Sequence, residues 1–115
     1  MSETAIMQDI RLALGQSPGI KMFRQNVGAY KDPRSGRLVR YGLHTGSADL
    51  IGWQSVVITP AMVGQRFARF VSIEVKTPTG RLSPEQSTWQ AAVQKAGGIA
   101  VVARSVDDVK FLLAD

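Results

Sequence analysis

No cysteine occurs in the 115 residues. Disulfide scaffolds, zinc–thiolate centres and thiol nucleophiles are thereby excluded, and the usage suits a reducing, cytoplasmic compartment. No apolar run approaches the ~20 residues that a membrane-crossing helix needs, and no basic segment followed by a long apolar stretch opens the chain, so neither a span nor a leader is expected. Acidic residues are the scarcer sign, 9 against 14 Lys and Arg, which leaves a formal charge of +5. That excess favours an anionic partner, and nucleic acid ahead of a membrane surface, because no basic amphipathic helix with a bulky apolar face is present. Low-complexity tracts and repeats at solenoid periods are also lacking. The 44% hydrophobic and 20% charged residues that are present suit a folded globular protein. The length predicts one domain, 1–115, with little room for a separate regulatory unit.

The stretch that organises the chain is Phe70-Val71-Ser72-Ile73-Glu74-Val75-Lys76. In a strand, residues two apart share a face, so Glu74 and Lys76 project together about 7 Å apart while Val71, Ile73 and Val75 form the opposite, core-facing side. Alone, such a pair reads as a surface ion pair. A second acid changes that reading. Asp49 opens the apolar run Asp49-Leu50-Ile51-Gly52-Trp53, and a carboxylate at the mouth of a buried strand needs a partner or a cation.

Ser2 to Gly15 predicts a helix capped by Ser2, with an apolar stripe through Ile6, Met7, Ile10, Ala13 and Leu14. Glu3 falls in that stripe. It either faces the core with a functional role or complements the positive end of the helix dipole. Lys21 to Val27 reads as a strand. From Ala29 to Thr45 the chain forms a basic loop, with Asp32-Pro33-Arg34-Ser35-Gly36 as its turn and Leu38 to Tyr41 as a short strand or loop. Arg24, Lys31, Arg34, Arg37 and Arg40 are interleaved with Tyr30 and Tyr41, the pattern expected where phosphates are held and an exposed base stacks. A solvated hairpin is the plainer alternative. His44, the one histidine, reads as a backbone-bonded turn residue.

Asp49 to Thr59 and Phe67 to Thr77 read as strands joined around Pro60 to Gly64, and a hairpin between them would bring Asp49 beside Glu74. Ser83-Pro84-Glu85-Gln86 then opens a helix: Ser83 caps, Pro84 suits the first position, and Gln86 completes a capping box. Trp89, Ala92, Val93 and Ala96 form its inward stripe, and Gly97-Gly98 ends it. Ile99 to Ala103 reads as a strand buried on both faces, parallel to the Glu74 strand because a helix connects them. Ser105 caps a last helix through Leu113, where Asp107 and Asp108 favour the helix dipole.

Taken in order, Glu3, Gly46-Ser47-Ala48-Asp49, Glu74-Val75-Lys76 and Gln86 resemble the VRR-NUC family of the PD-(D/E)xK nuclease superfamily over essentially the whole chain. Ala48 stands where the superfamily often has proline before the aspartate. The resemblance implies an α/β domain with an α-β-β-β-α-β-α order around a mixed sheet. It also implies a metal-dependent DNA endonuclease, similar to small homodimeric Holliday junction resolvases that act on branched DNA in repair.

The residue types agree with phosphodiester hydrolysis. Asp49, Glu74 and the Val75 carbonyl offer oxygen ligands to Mg²⁺ or Mn²⁺. Lys76 would orient the attacking water and stabilise charge on the phosphate, or act as a base if its pKa is depressed. Gln86 would hold Lys76 or the water, and Glu3 would add a ligand directly or through water. A non-catalytic DNA-binding module of the same fold is the main rival, and a hydrolase of RNA or another phosphodiester is the second.

Overall fold

Ser2 accepts a hydrogen bond from the Ala5 N–H and so starts α1, Glu3–Gly15, as the sequence predicts. A computed structural model describes residues 2–113; residues 1, 114 and 115 of the expected domain span lie outside the described residues. The chain folds as a small α/β protein that divides into two units, Met1–Gln54 and Ser55–Asp115.

In the first unit, α1 is followed by β1, Ile20–Arg24, then β2, Gly28–Lys31, β3, Leu38–Tyr41, and β4, Leu50–Gln54. β1 pairs antiparallel with β4, Met22 opposite Gly52. At Gly52 a Cβ would run into the Lys21 carbonyl, so the close approach of the two strands requires glycine there. Phe23 and Trp53 pack with ring centroids 5.5 Å apart on this pair. β2 and β3 form a separate antiparallel hairpin. The region expected as a basic loop is therefore a ladder, closed by the Asp32 N–H donating to the Arg37 carbonyl and by Gly36 at φ 71°. Glu3 is exposed, which corrects the expectation that it faces the core, and none of the α1 stripe is fully buried.

The second unit carries a 3₁₀ turn, Pro60–Met62, then β5, Val71–Val75, α2, Pro84–Lys95, β6, Ile99–Ala103, and a 3₁₀ helix, Val106–Leu113, where an α-helix is expected. β5 and β6 pair in parallel, Glu74 opposite Val102, with α2 as the crossover. The capping box is present in full: Ser83 Oγ accepts from the Gln86 N–H, and Gln86 Oε1 accepts from the Ser83 N–H. Gly97, at φ 99°, ends α2 in the left-handed region. Among the described residues, Val93, Ala100 and Ala103 are the buried apolar ones.

Two expectations are overturned. The expected hairpin between the Asp49 and Glu74 strands is not among the ladders of the described residues, where β4 takes β1 as its partner and β5 takes β6. Within the second unit, the apolar side of β5 is not the side that meets α2. Val71, Ile73 and Val75 are exposed, whereas Ser72, Glu74 and Lys76 are half-buried on the face that meets α2. Polar contacts seat the helix there, since the Trp89 indole N–H donates to Ser72 Oγ at 2.8 Å and Gln86 reaches Glu74.

Candidate functional site

Alternation through β5 and the residue that follows it places Glu74 and Lys76 on one face, and the parallel crossover brings the first turn of α2 over that face. Gln86 Nε2 donates to Glu74 Oε1 at 2.7 Å, and Lys76 Nζ lies 3.6 Å from the same oxygen. Both contacts fall on Oε1, so Oε2 has no hydrogen bond among the described residues. The lysine side chain is 21% exposed and the glutamate 34%, so the pair is shielded from water more than a surface bridge is.

Gln86 uses both ends of its amide. Its oxygen completes the helix cap and its nitrogen grips the acid. The sequence supports a cap or a contact with Lys76 or a water; the structure instead shows the cap together with a grip on Glu74. The rigid helix start thereby fixes the carboxylate's orientation. An open cleft of about 270 Å³ adjoins it, lined by Glu74, Glu85, Gln86, Trp89 and Gln90.

Arg104 carries no sequence signal and is nonetheless placed beside this site. It directly follows β6, and its Nη1 donates to the Thr77 carbonyl and, at 2.8 Å, to the Gly80 carbonyl. The backbone immediately after Lys76 is thus held twice: the Lys76 N–H donates to the Ala103 carbonyl, and the turn beyond it is clasped by Arg104. Asp108 accepts from the Arg104 N–H at 2.8 Å, which gives that acid a backbone role at the exit of β6.

Asp49 belongs to the first unit and immediately precedes β4. It is exposed, contrary to the expectation of a carboxylate at the mouth of a buried strand. Its backbone is well fixed. The Gln25 N–H donates to the Asp49 carbonyl at 3.0 Å, and the Gln25 side chain donates to Ser47 Oγ and the Ala48 carbonyl while accepting from the Leu43 N–H. Gln25 is thus the clamp on Gly46-Ser47-Ala48-Asp49, another residue that the sequence reading passes over. His44 Nδ1 lies 2.8 Å from the Thr45 carbonyl, the turn role expected of it.

Lys31, Arg34, Arg37 and Arg40 are gathered on the β2–β3 hairpin, all exposed, while Arg24 ends β1. Asp32, the hairpin's one acid, is occupied internally: Oδ1 accepts from the Arg34 N–H and Oδ2 from the Ser35 hydroxyl. The backbone bond from Arg34 first, and the Ser35 bond second, hold its carboxyl below its ordinary value of 3.8.

Among the described residues no group of three or more His, Cys, Asp or Glu side chains gathers as a metal centre. By type, the Glu74 carboxylate with its unengaged Oε2 is a hard oxygen donor that suits a divalent cation. No helix among the described residues is long and apolar enough to cross a membrane.

A family model described as the VRR-NUC domain matches residues 7–107, nearly the whole chain. The comparison with curated proteins and that with solved structures each return no match.

Proposed function

The chain belongs to the VRR-NUC domain family, a nuclease family of the PD-(D/E)xK superfamily, and on that premise we propose that it is a metal-dependent DNA endonuclease selective for branched DNA. The observation that carries the reading is the joint hold on Glu74: one carboxylate oxygen receives the Gln86 amide and faces the Lys76 ammonium, in the order the family's motif requires. A structural ion pair has no need of an amide from a helix cap. The element order also supports it, since α1, β1, β4, β5, α2, β6 and the terminal 3₁₀ helix run α-β-β-β-α-β-helix once the β2–β3 hairpin is taken as an insertion. The reading takes residues 1–115 as one domain around a mixed sheet.

Glu74, the Val75 carbonyl and Asp49 would hold Mg²⁺ or Mn²⁺, with Glu3 as a further ligand directly or through water; Asp49 and Glu3 enter through the motif order. The cation, when bound, supplies Lewis acidity toward a phosphate oxygen and lowers the pKa of bound water. Lys76 orients the attacking water and offsets charge that builds on the phosphate. Gln86 keeps Glu74 Oε1 turned toward Lys76, which leaves Oε2 for other work. The hairpin cations and Arg24 hold the DNA backbone. A homodimer would present two such sites to the two strands of a branch.

Calorimetric titration with Mn²⁺ tests the assignment. Wild type should bind the ion, and Glu74→Ala and Asp49→Ala should each bind it far more weakly and fail to cleave DNA. Unchanged Mn²⁺ binding in Glu74→Ala would contradict the ligand set. The non-catalytic module would bind DNA with no turnover under any metal, and parallel assays on RNA separate the remaining rival.

A further inference from the structure

The β2–β3 hairpin has two unlike faces. Its register sets Tyr30 opposite Val39 and Tyr41 opposite Gly28, so both tyrosines share one face as diagonal neighbours, while Ala29, Lys31, Leu38 and Arg40 share the other. The tyrosine rings lie 6.5 Å apart and tilted by 39°, with Tyr30 54% and Tyr41 50% exposed. Gly28 makes this possible. A Cβ at that position would run into the Tyr41 ring and hydroxyl, so the glycine is the seat on which Tyr41 lies. Two half-exposed aromatic rings held by a ladder are therefore presented outward on a face without a charged side chain.

The hairpin's free charge is of one sign, with Arg34 and Arg37 at the turn and Lys31 and Arg40 on the opposite face. Lys31, Arg34, Arg37 and Arg40 make no ion pair among the described residues, and Asp32 is turned inward on its own turn. Cations that follow a phosphate chain, beside aromatic rings that accept any base, are the combination by which single strands are bound without sequence readout. We propose that the Tyr30–Tyr41 face is a stacking platform for an unpaired base, so that the substrate of this chain is DNA with single-stranded nucleotides at or beside its branch. The inference rests on the DNA-binding part of the function proposed above, and it goes further: a fully paired duplex, whose bases stack on one another, has nothing to offer this face.

The test is binding to two DNAs of equal length and charge, one fully paired and one with a short unpaired stretch containing 2-aminopurine, measured in EDTA so that no cleavage intervenes. Wild type should prefer the unpaired DNA by about tenfold, in line with the worth of one stacked base, and should quench the 2-aminopurine fluorescence. Tyr30→Ala and Tyr41→Ala should abolish the preference and the quenching while leaving the salt dependence of binding unchanged. Tyr30→Phe and Tyr41→Phe, which keep the rings, should retain both. Equal affinity of wild type for the two DNAs would overturn the inference, as would a preference that survives in a folded Tyr30→Ala, Tyr41→Ala double variant. Failure to bind any DNA would overturn it together with the reading it rests on. Retained preference without cleavage in Mg²⁺ or Mn²⁺ would support the platform and overturn the nuclease reading alone.

Discussion

At the scale of single residues, Gln86 joins a helix cap to an acid through one amide. Two substitutions separate those duties. Gln86→Glu keeps an oxygen for the Ser83 N–H, since glutamate serves equally in a capping box, but replaces the donor to Glu74 with a second carboxylate. Cleavage should fall at least tenfold with little change in melting temperature. Gln86→Ala removes both contacts and should lower stability as well, by about 1 kcal/mol. Thermal unfolding run beside a cleavage assay checks this; equal cleavage by wild type and Gln86→Glu would assign the side chain to the cap alone. The capping box is legible in the sequence because its partners lie within one turn, and the grip on Glu74 is not, because that contact is fixed only when the crossover folds.

Asp32 gives a pH dependence whose sign follows from its bonds. Its carboxyl is held below the ordinary 3.8, by the Arg34 N–H first and the Ser35 hydroxyl next. The folded turn therefore favours the ionised form, and its contribution to the hairpin is present above the unfolded value and lost as pH falls through the lower folded one. Amide chemical shifts of Arg34 and Ser35, followed by NMR from neutral pH into acid, should report the loss, and Asp32→Asn should remove that transition. Gln25 shows the limit of reading residues alone. Its partners lie about twenty positions downstream on Leu43, Ser47 and Ala48, and no local pattern announces them.

At the scale of elements, the crossover from β5 through α2 to β6 follows from local signals and handedness, and the structure has it. The choice of packed face does not follow. Alternation separates Val71, Ile73 and Val75 from Ser72, Glu74 and Lys76 correctly, yet it cannot state which set meets the helix. Hydrogen bonds from Trp89 and Gln86 decide that here. The β2–β3 hairpin hides for another reason: its strands are only four residues each, too short for their period to stand out. The apolar run Val56 to Ile58 fails in the opposite sense, since it reads as strand but lies beyond the end of β4 and is exposed.

Arg104 acts at this scale as a positioning residue, because its guanidinium donates to the turn that follows Lys76. Arg104→Ala should cost about 1 kcal/mol of stability, a value kept small by the group's exposure. Hydrogen exchange at the Gly80 amide should quicken, and kcat should fall several-fold with KM little changed. Unaltered exchange at Gly80 would show that the turn holds itself.

At the scale of the molecule, charge is the quantity that the sequence states most directly. Four of its 14 cations stand on one hairpin beside a single, internally bonded acid. Arg34→Ala and Arg37→Ala should each weaken DNA binding on every sequence alike and reduce the slope of log K against log salt by about one. Anisotropy titrations across a range of salt give that slope, and a slope unchanged in the double variant would remove the hairpin from the backbone contact. Sedimentation in the presence of branched DNA tests the expected dimer, which should appear as two chains on one junction.

The central claim is that Glu74, Lys76 and Gln86 form a catalytic centre, and one comparison tests it most directly. Labelled linear, nicked and four-way-branched DNA are incubated with wild type and with Lys76→Ala at matched folding, in Mg²⁺ or Mn²⁺. Wild type should cut, most readily at the branched substrate, and Lys76→Ala should bind with similar affinity and not cut. Cleavage by Lys76→Ala at the wild-type rate, or DNA binding by both proteins with no cleavage by either, would contradict the account.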